Sequence, residues 1–268
     1  MKNERSEQIM AMLHRHGAEV HLAELKEALP HVSESTLRRD LDRLEEEGKV
    51  IRTYGGVRLI EPTAADDILL RRSERPELKR LTAEAALRLL TPEHHVIYLD
   101  AGTTLDLFAT MLPEDQERLI VTNDPAIALR LARRRSLAVM LLGGQVNPST
   151  LSLSGQWSLS QLASLHIDLA FMGASGVAVD TGFTNLNAVE CDLKRAVIAK
   201  ARRAAVLCDS GKFGRIFPFT FAGFAEVQAM ATDAPLPADL AEAATRAGMI
   251  VCEAGGERTS SGAKTSPP

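Results

Sequence analysis

From Ile9 to Leu44 the apolar positions recur at helical spacing, whereas past Val96 they gather into short runs separated by amphipathic stretches. Ile9, Met12, Leu13 and His16 share one face of a first helix, and Gly17 ends it. Leu22, Leu25 and Leu29 predict a second helix with Pro30 as its stop. After the turn His31-Val32-Ser33, a third helix opens on Ser33 as N-cap and stops at Gly48. Leu37, Leu41 and Leu44 form its buried face, which leaves Ser35, Thr36, Arg38 and Arg39 exposed in its first turns. Val50, Ile51, Tyr54, Gly55, Gly56, Val57 and Leu59 predict a β-hairpin. A winged helix-turn-helix presents a recognition helix and a wing to DNA in this order.

Pro62 to Asp67 is polar and reads as a linker, and Ile68–Leu90 as a helical segment broken near Pro76. Buried strands are expected at Val96–Leu99, Leu119–Val121, Leu137–Leu142, Ile167–Met172, Ala204–Cys208, Val227–Ala231 and Met249–Cys252. Helical patterns lie between several of them, at Leu105–Leu112, Pro125–Arg134, Ser158–Leu165, Cys191–Ala201 and Ala238–Ala247. Strands alternating with helices predict an α/β domain with a largely parallel sheet. The expected division is a winged helix-turn-helix at 1–61, a linker and connecting helix at 62–90, an α/β domain at 91–253 and a disordered tail at 254–268, rich in small polar residues.

The 268 residues suffice for one small and one medium domain. The net charge of −4 carries no global signature of nucleic-acid binding, and Glu45, Glu46 and Glu47 offset the arginines of the first domain. Binding to DNA would then rest on locally placed Arg and Lys, doubled by dimerisation. Cys191, Cys208 and Cys252 lie far apart, which indicates neither a zinc site nor a disulfide framework. His14, His16, His21 and His31 lack metal-ligand spacing, so no metal is expected. The N-terminus has no apolar signal core and no long apolar run follows, which points to a cytoplasmic protein with no membrane partner and reduced thiols.

Parallel sheets bind ligands at the carboxyl ends of their strands, where this domain carries its polar residues. Asp100-Ala101-Gly102-Thr103-Thr104 follows a strand and opens a helix, so backbone N–H groups, hydroxyls and the helix dipole would favour an anion such as phosphate. Thr122-Asn123-Asp124, Gly143-Gly144, Ser154-Gly155, Met172–Gly176 and Cys208–Gly214 end other strands or follow them. Lys194 and Lys212 could supply cations, and Asp100 and Glu190 could bond sugar hydroxyls. Each piece has a plainer reading: Gly102–Thr104 as a capped turn, Gly143-Gly144 as a turn, Lys212 as a solvated lysine.

These residues carry a family resemblance. Val32, Ser33, Thr36, Leu37, Arg38, Arg39, Asp40 and Leu41 match the V-S-x-x-T-[IL]-R-R-D-L signature that opens the third helix of DeoR-type regulators of bacterial sugar metabolism. Arg52, Gly55 and Gly56 match the wing signature of that family. The second domain resembles the family's sensor half through Asp100–Thr104, Thr122-Asn123, Gly143-Gly144, Glu190–Lys194 and Ser210–Gly214. The resemblance spans roughly residues 5–252. It implies a repressor of a carbohydrate operon that binds double-stranded operator DNA, responds to a phosphorylated sugar, self-associates and needs no cofactor.

Two sets of residues follow from it. DNA contacts are expected from Ser33, Ser35, Thr36, Arg38, Arg39, Arg52, Tyr54, Gly55 and Gly56, and effector contacts from Asp100, Gly102, Thr103, Thr104, Thr122, Asn123, Gly143, Gly144, Glu190, Lys194 and Lys212. Arg38 and Arg39 are phosphate clamps or base readers, with at least one reaching the major groove. Tyr54 either supports the wing or contacts the DNA backbone. Asp40 is expected in an internal salt bridge, Asp168 as an organiser of a strand end and Trp157 in the core. Arg133-Arg134-Arg135 is expected to cap the negative end of its own helix.

The sensor half also resembles the ribose-5-phosphate isomerase group, which raises the alternative of an isomerase-like enzyme with an attached DNA reader. Those isomerases carry a D-G-A-D-E-type acidic loop. The comparable Met172-Gly173-Ala174-Ser175-Gly176 has neither aspartate, so a general base is missing and no catalytic residue is assigned.

Overall fold

The computed structural model describes residues 2–16, 20–46, 49–53, 55–59, 71 and 73–256. The expected stops Gly17 and Gly48, the linker 62–67, Tyr54 and the tail beyond 256 lie outside the described residues. The chain divides into two compact units, Met1–Thr63 and Ala64–Pro268.

The first unit runs α1 (Lys2–His16), β1 (Val20–His21), α2 (Leu22–Ala28), α3 (Glu34–Glu46), β2 (Val50–Arg52) and β3 (Gly56–Leu59). The hairpin β2–β3 is extended by β1 into an antiparallel sheet of order β1-β3-β2. Ile9, Leu13, Leu25, Leu37, Leu41, Leu44, Val50 and Val57 form its closed core. Full burial of each such side chain is worth roughly 1.5–3 kcal/mol. The Ser33 hydroxyl accepts the Thr36 N–H at 3.2 Å and so caps α3. Asp40 is buried on this helix and accepts a hydrogen bond from Arg5 Nε at 2.9 Å, with Arg43 at 3.7 Å, as an internal salt bridge.

The second unit holds a seven-stranded parallel sheet of order β15-β14-β12-β9-β4-β5-β6. Its strands are β4 (Val96–Leu99), β5 (Arg118–Thr122), β6 (Leu137–Leu141), β9 (Ile167–Gly173), β12 (Ala201–Leu207), β14 (Ala229–Thr232) and β15 (Ile250–Glu253). Helices α4 (Pro76–Leu87), α5 (Thr103–Met111) and α6 (Pro125–Leu131) pack on one face, where Ile97, Leu99, Leu169, Phe171, Ala205 and Leu207 point. On the other face Tyr98, Ala170, Met172 and Val206 meet α7 (Gln156–Leu162), α8 (Ala188–Lys200) and α9 (Ala238–Arg246). Successive strand residues point to opposite faces, so continuously apolar runs demand helices on both.

The short strands β7 (Gln145–Val146), β8 (Leu153–Ser154), β10 (Gly176–Ala178), β11 (Gly182–Asn185) and β13 (Phe219–Ala222) were not expected. The pair β7–β8 and the sheet β10-β11-β13 are both antiparallel. They are too short or too polar for a periodic signal. The expected boundaries fall within three residues of the observed ones; the largest differences are β12 and α8, which start three residues earlier than read, and α6 and α7, which end three residues earlier.

Several expectations need correction. Helix α4, assigned to a connecting segment, is part of the second unit's core: Thr82, Ala83, Ala85 and Ala86 are buried under the sheet. The tail was drawn from residue 254, yet Ala254 N–H donates to Thr232 O at 3.0 Å and Arg88 donates to the carbonyl of Gly256. Trp157 is 76% exposed rather than in the core. Arg134 does cap a helix, but it is α5: it donates to Leu112 O at 2.8 Å and Thr110 O at 2.7 Å. Asp168 bonds the His95 and Val96 N–H groups at 3.0 and 2.8 Å and organises the start of β4, as expected.

Candidate functional site

In the first unit, Ser35, Arg38 and Arg39 are exposed at the start of α3 and Thr36 is half-buried. Arg38 is held along the helix by Glu34, with contacts of 3.1 and 2.7 Å. Arg39 has no hydrogen-bond or ion-pair partner among the described residues. Ser33 spends its hydroxyl on the cap and on Thr36 Oγ1 at 2.7 Å. The wing is strapped to α3 through Arg52, whose guanidinium pairs with Asp42 and whose N–H donates to Glu45 at 3.1 Å. Gly55 O accepts the Leu22 N–H at 3.1 Å. Gly56 is buried, and a Cβ there would collide with the carbonyl of Val20, so it serves strand approach rather than offering a contact surface. Tyr54 lies outside the described residues.

In the second unit the strand order reverses between β4 and β9. After β4 the chain moves outward through β5 and β6, then returns to place β9 on the other side of β4. Loops leaving the two strands diverge at such a point and open a crevice at their carboxyl ends. A cavity of about 740 Å³ lies there. Among the expected effector residues, Asp100, Gly102, Thr103, Thr104, Asn123, Glu190, Lys194 and Lys212 line it. Thr122, Gly143 and Gly144 do not: the Thr122 hydroxyl accepts the Asp124 N–H at 3.1 Å, and Gly143 O accepts Ser158 Oγ at 2.7 Å. A Cβ at Gly144 would meet Ser158 Oγ and the backbone of Ser154, so this pair of glycines lets α7 approach.

The floor of the cavity is tightly bonded. Lys194 on α8 pairs with Asp100 and donates to Gly173 O at 2.9 Å, while Asp100 accepts the Gly173 N–H at 2.9 Å. These bonds clamp the ends of β4 and β9 to one helix. The Asn123 amide is committed to protein groups: Tyr98 Oη donates to its Oδ1 at 3.0 Å and its Nδ2 donates to Leu153 O at 3.0 Å. Burial, then the nearby Asp100, pushes the Tyr98 hydroxyl well above its usual pKa, so it stays a donor. Glu190 accepts from Asn147 at 2.7 Å, Thr150 at 2.6 Å, Ser152 at 2.9 Å and Asn185 at 3.0 Å. Burial acts to raise the Glu190 pKa, but Lys194 and these donors outweigh it and hold the carboxyl below its ordinary value.

Above this floor the wall is the start of α5. Gly102 has φ +135 and precedes the first turn, and open space lies on the side where a Cβ would stand. Its N–H faces Asp124 at 3.4 Å. Asp124 also caps α6 through the N–H groups of Ala126 and Ile127, and burial lifts its pKa. The lining also holds Arg75, Lys79 and Arg215, which sequence reasoning missed, and Asp209 from the Cys208–Gly214 strand end. Arg75 Nη1 donates to Asp209 at 3.0 Å, and Lys212 lies 3.4 Å from the same carboxylate. Asp209 sits at a strand end, which was a usable signal; Arg75 and Lys79 lie far upstream and gave none.

The family model described as the DeoR-like helix-turn-helix domain matches residues 5–63, and the one described as the DeoR C-terminal sensor domain matches residues 74–234. The chain belongs to the DeoR family of transcriptional regulators. A Bacillus subtilis strain 168 protein described as the uncharacterized HTH-type transcriptional regulator FruR is 36% identical over 207 residues, covering 77% of this chain and 82% of that one. The glycerol-3-phosphate regulon repressor of Escherichia coli K12 is 28% identical over 214 residues, covering 80% and 84%. Among solved structures, ribose 5-phosphate isomerase A from Methanocaldococcus jannaschii superposes with a TM-score of 0.39 at 19% identity, covering 52% of this chain and 55% of that one.

Membership places this DeoR-family chain among regulators rather than enzymes. Two of the cavity's carboxylates are engaged by protein groups. Asp100 is bound by Lys194 and Gly173, and Glu190 by four side-chain donors, which leaves neither poised to take a proton from carbon. Among the described residues no cluster of His, Cys, Asp or Glu could hold a metal ion, and no helix is long and apolar enough to cross a membrane.

Proposed function

We propose that this DeoR-family regulator is a repressor of a carbohydrate catabolic operon, released from its operator by a phosphorylated sugar bound in the cavity of the second unit. The observation that carries the reading is the cavity at the strand-order reversal, lined by both a helix start and basic side chains. Helix N-termini and cations favour a phosphate, while bonded carboxylates and amides suit hydroxyl groups. The glycerol-3-phosphate regulon repressor, to which the chain is similar, is named for a phosphorylated polyol. In the first unit, α3 enters the major groove with Ser35, Thr36, Arg38 and Arg39 leading, and the wing at Arg52–Gly56 follows the backbone.

The regulator acts as a homo-oligomer in the cytoplasm, because one small reader gives limited affinity and paired half-sites need a paired protein. The effector acts by favouring one arrangement of the paired readers, since a ligand that binds both arrangements equally shifts nothing.

The test is a thermal-shift panel of sugar phosphates and their free sugars, followed by fluorescence anisotropy on a duplex selected from random sequence. One phosphorylated sugar should raise the melting temperature and lower affinity for the duplex, and its free sugar should do neither. A protein that selects no duplex, or whose duplex affinity no sugar phosphate changes, would sink the reading.

A further inference from the structure

The polar floor of the cavity gives way to an aliphatic rim. Leu129, Val146, Leu151 and Leu186 all line the cavity, yet they are between 41% and 73% exposed. Asp100, Glu190 and Lys194 are buried, so the four aliphatic side chains stand at the mouth and the charged ones at the bottom. Phe217, half-buried, belongs to the same lining. Single exposed leucines are ordinary on a protein surface, but four large aliphatic side chains on the lining of one cavity call for an occupant.

Each of the four adjoins a polar residue that is already committed to a protein group. Asn147, which follows Val146, donates to Glu190 at 2.7 Å, and Thr150 and Ser152 donate to the same carboxylate at 2.6 and 2.9 Å. Leu151 lies between those two with φ +53, in the left-handed region that an L side chain enters only at a steric cost. Its N–H donates to Asn147 O at 2.7 Å, which fixes the turn. Leu186 is flanked by Asn185, which accepts from Ser175 at 2.7 Å and donates to Glu190 at 3.0 Å, and by Asn187, which caps α8 at 3.1 Å. Arg130, next to Leu129, pairs with Asp106 at 3.0 Å. What these segments present to the opening is therefore hydrocarbon.

We infer that the ligand of this cavity is a phosphorylated sugar bearing an apolar substituent, an alkyl, aryl or acyl group, and that Leu129, Val146, Leu151 and Leu186 hold that substituent. The inference rests on the effector reading of the cavity and deepens it by naming the class of ligand. A volume of about 740 Å³ lies in the upper part of the roughly 300–1,000 Å³ that takes a drug-sized ligand, more room than an unsubstituted monosaccharide phosphate fills. Sugar hydroxyls at the mouth would find no hydrogen-bond partner on these side chains. An apolar substituent there takes hydrocarbon out of water on both sides of the contact. The floor and the rim thus read two different parts of one molecule.

The test titrates the full chain with ethyl, butyl and hexyl phosphate by isothermal titration calorimetry. These probes keep the phosphate monoester and vary only the hydrocarbon. Affinity should rise about two- to fourfold for each added methylene, the upper value being that of full burial. The heat-capacity change of binding should become more negative along the series. Leu151→Asn, which tolerates the left-handed backbone, and Leu186→Ser should each lower the hexyl-to-ethyl affinity ratio by about threefold or more. Trp157→Ser removes an apolar side chain that is 76% exposed but does not line the cavity, and should keep the parent's ratio. Far-UV circular dichroism verifies that each variant is folded.

Hexyl phosphate that binds no more tightly than ethyl phosphate, or that does not bind at all, would overturn the inference. So would Leu151→Asn and Leu186→Ser proteins with the parent's ratio, or a Trp157→Ser protein that loses it, since the hydrocarbon would then lie elsewhere. A rim variant whose mass changes in sedimentation velocity while its ratio stays at the parent's value would make the rim a contact between copies of the chain, and that also refutes the inference. These failures are separable from failure of the effector reading. A parent that responds to a sugar phosphate on DNA keeps that reading whatever the alkyl series does, and a parent with no such response loses both.

Discussion

Replacing Lys194 with methionine isolates the bond that holds the cavity floor together. The side chains of Lys194 and Asp100 are 6% and 4% exposed, so the pair is buried on both sides. Methionine keeps the stem that packs near Phe221, whose ring centroid lies 5.2 Å from the ammonium. The change leaves the buried Asp100 with the single Gly173 N–H at 2.9 Å. Breaking one side of a buried pair costs about 3–5 kcal/mol. A domain of this size loses about 2–4 °C of Tm per kcal/mol, so the fall should be about 6–20 °C. The double variant Asp100→Asn with Lys194→Met removes both charges and should recover a large part of the loss, because desolvation of the pair no longer has to be offset. Differential scanning calorimetry separates the sensor transition from that of the smaller unit. A Lys194→Met protein within about 1 kcal/mol of the parent, or a double variant that is the plain sum of the singles, would show that the pair is not what clamps β4 to β9.

Other outcomes follow from single contacts. Arg39→Ala should weaken duplex binding by about 1–3 kcal/mol in anisotropy titrations with no change in Tm, because its side chain is exposed and has no partner among the described residues. Unchanged affinity would remove Arg39 from the reading face. Glu190→Gln should lower stability at neutral pH, since the amide that keeps its oxygen toward Asn147, Thr150 and Ser152 turns its NH₂ on the Asn185 donor and loses the charge facing Lys194. The folded pKa of Glu190 lies below its ordinary 4.5, so its contribution is full above that value and fades as pH falls through the folded one. The two proteins should therefore converge in stability on acidification, and a gap constant with pH would contradict this; Asp124, with its pKa raised, is common to both and cancels. Cys191, Cys208 and Cys252 are buried, and burial pushes the Cys208 thiol up to about 12. Thiol reagent should label the native protein slowly and the urea-unfolded protein at once, and fast native labelling would point to an opening the fold does not show.

Much of the fold was legible because its signals are local. Leu37, Leu41 and Leu44 lie one helical turn apart, and that spacing alone predicts which face α3 buries and which it leaves exposed. The apolar runs at β4, β5 and β9 are unbroken because helices cover both faces of a parallel sheet. The strand-end motifs Asp100–Thr104 and Glu190–Lys194 were readable for the same reason: a parallel sheet sends its carboxyl ends to one edge, so residues distant in sequence converge there.

What the sequence could not decide was the use of each polar group once the chain had folded. Gly143 and Gly144 have the same local look as Gly102, yet they let α7 approach while Gly102 faces the cavity. Asn123 was read as a ligand contact and does line the cavity, but its amide also bonds Tyr98 and Leu153, which are 25 and 30 positions away. Arg75 reaches Asp209 across 134 positions, from a left-handed backbone that no pattern announces. Periodicity and capping depend on neighbours within a turn or two, so the sequence by itself determined the helices and the strands of the parallel sheet, the family and the edge where the cavity opens. Pairing of buried charges depends on which distant groups meet as water is excluded, and only the tertiary structure decided that Lys194 is held by Asp100 and that Arg75 and Lys212 share Asp209.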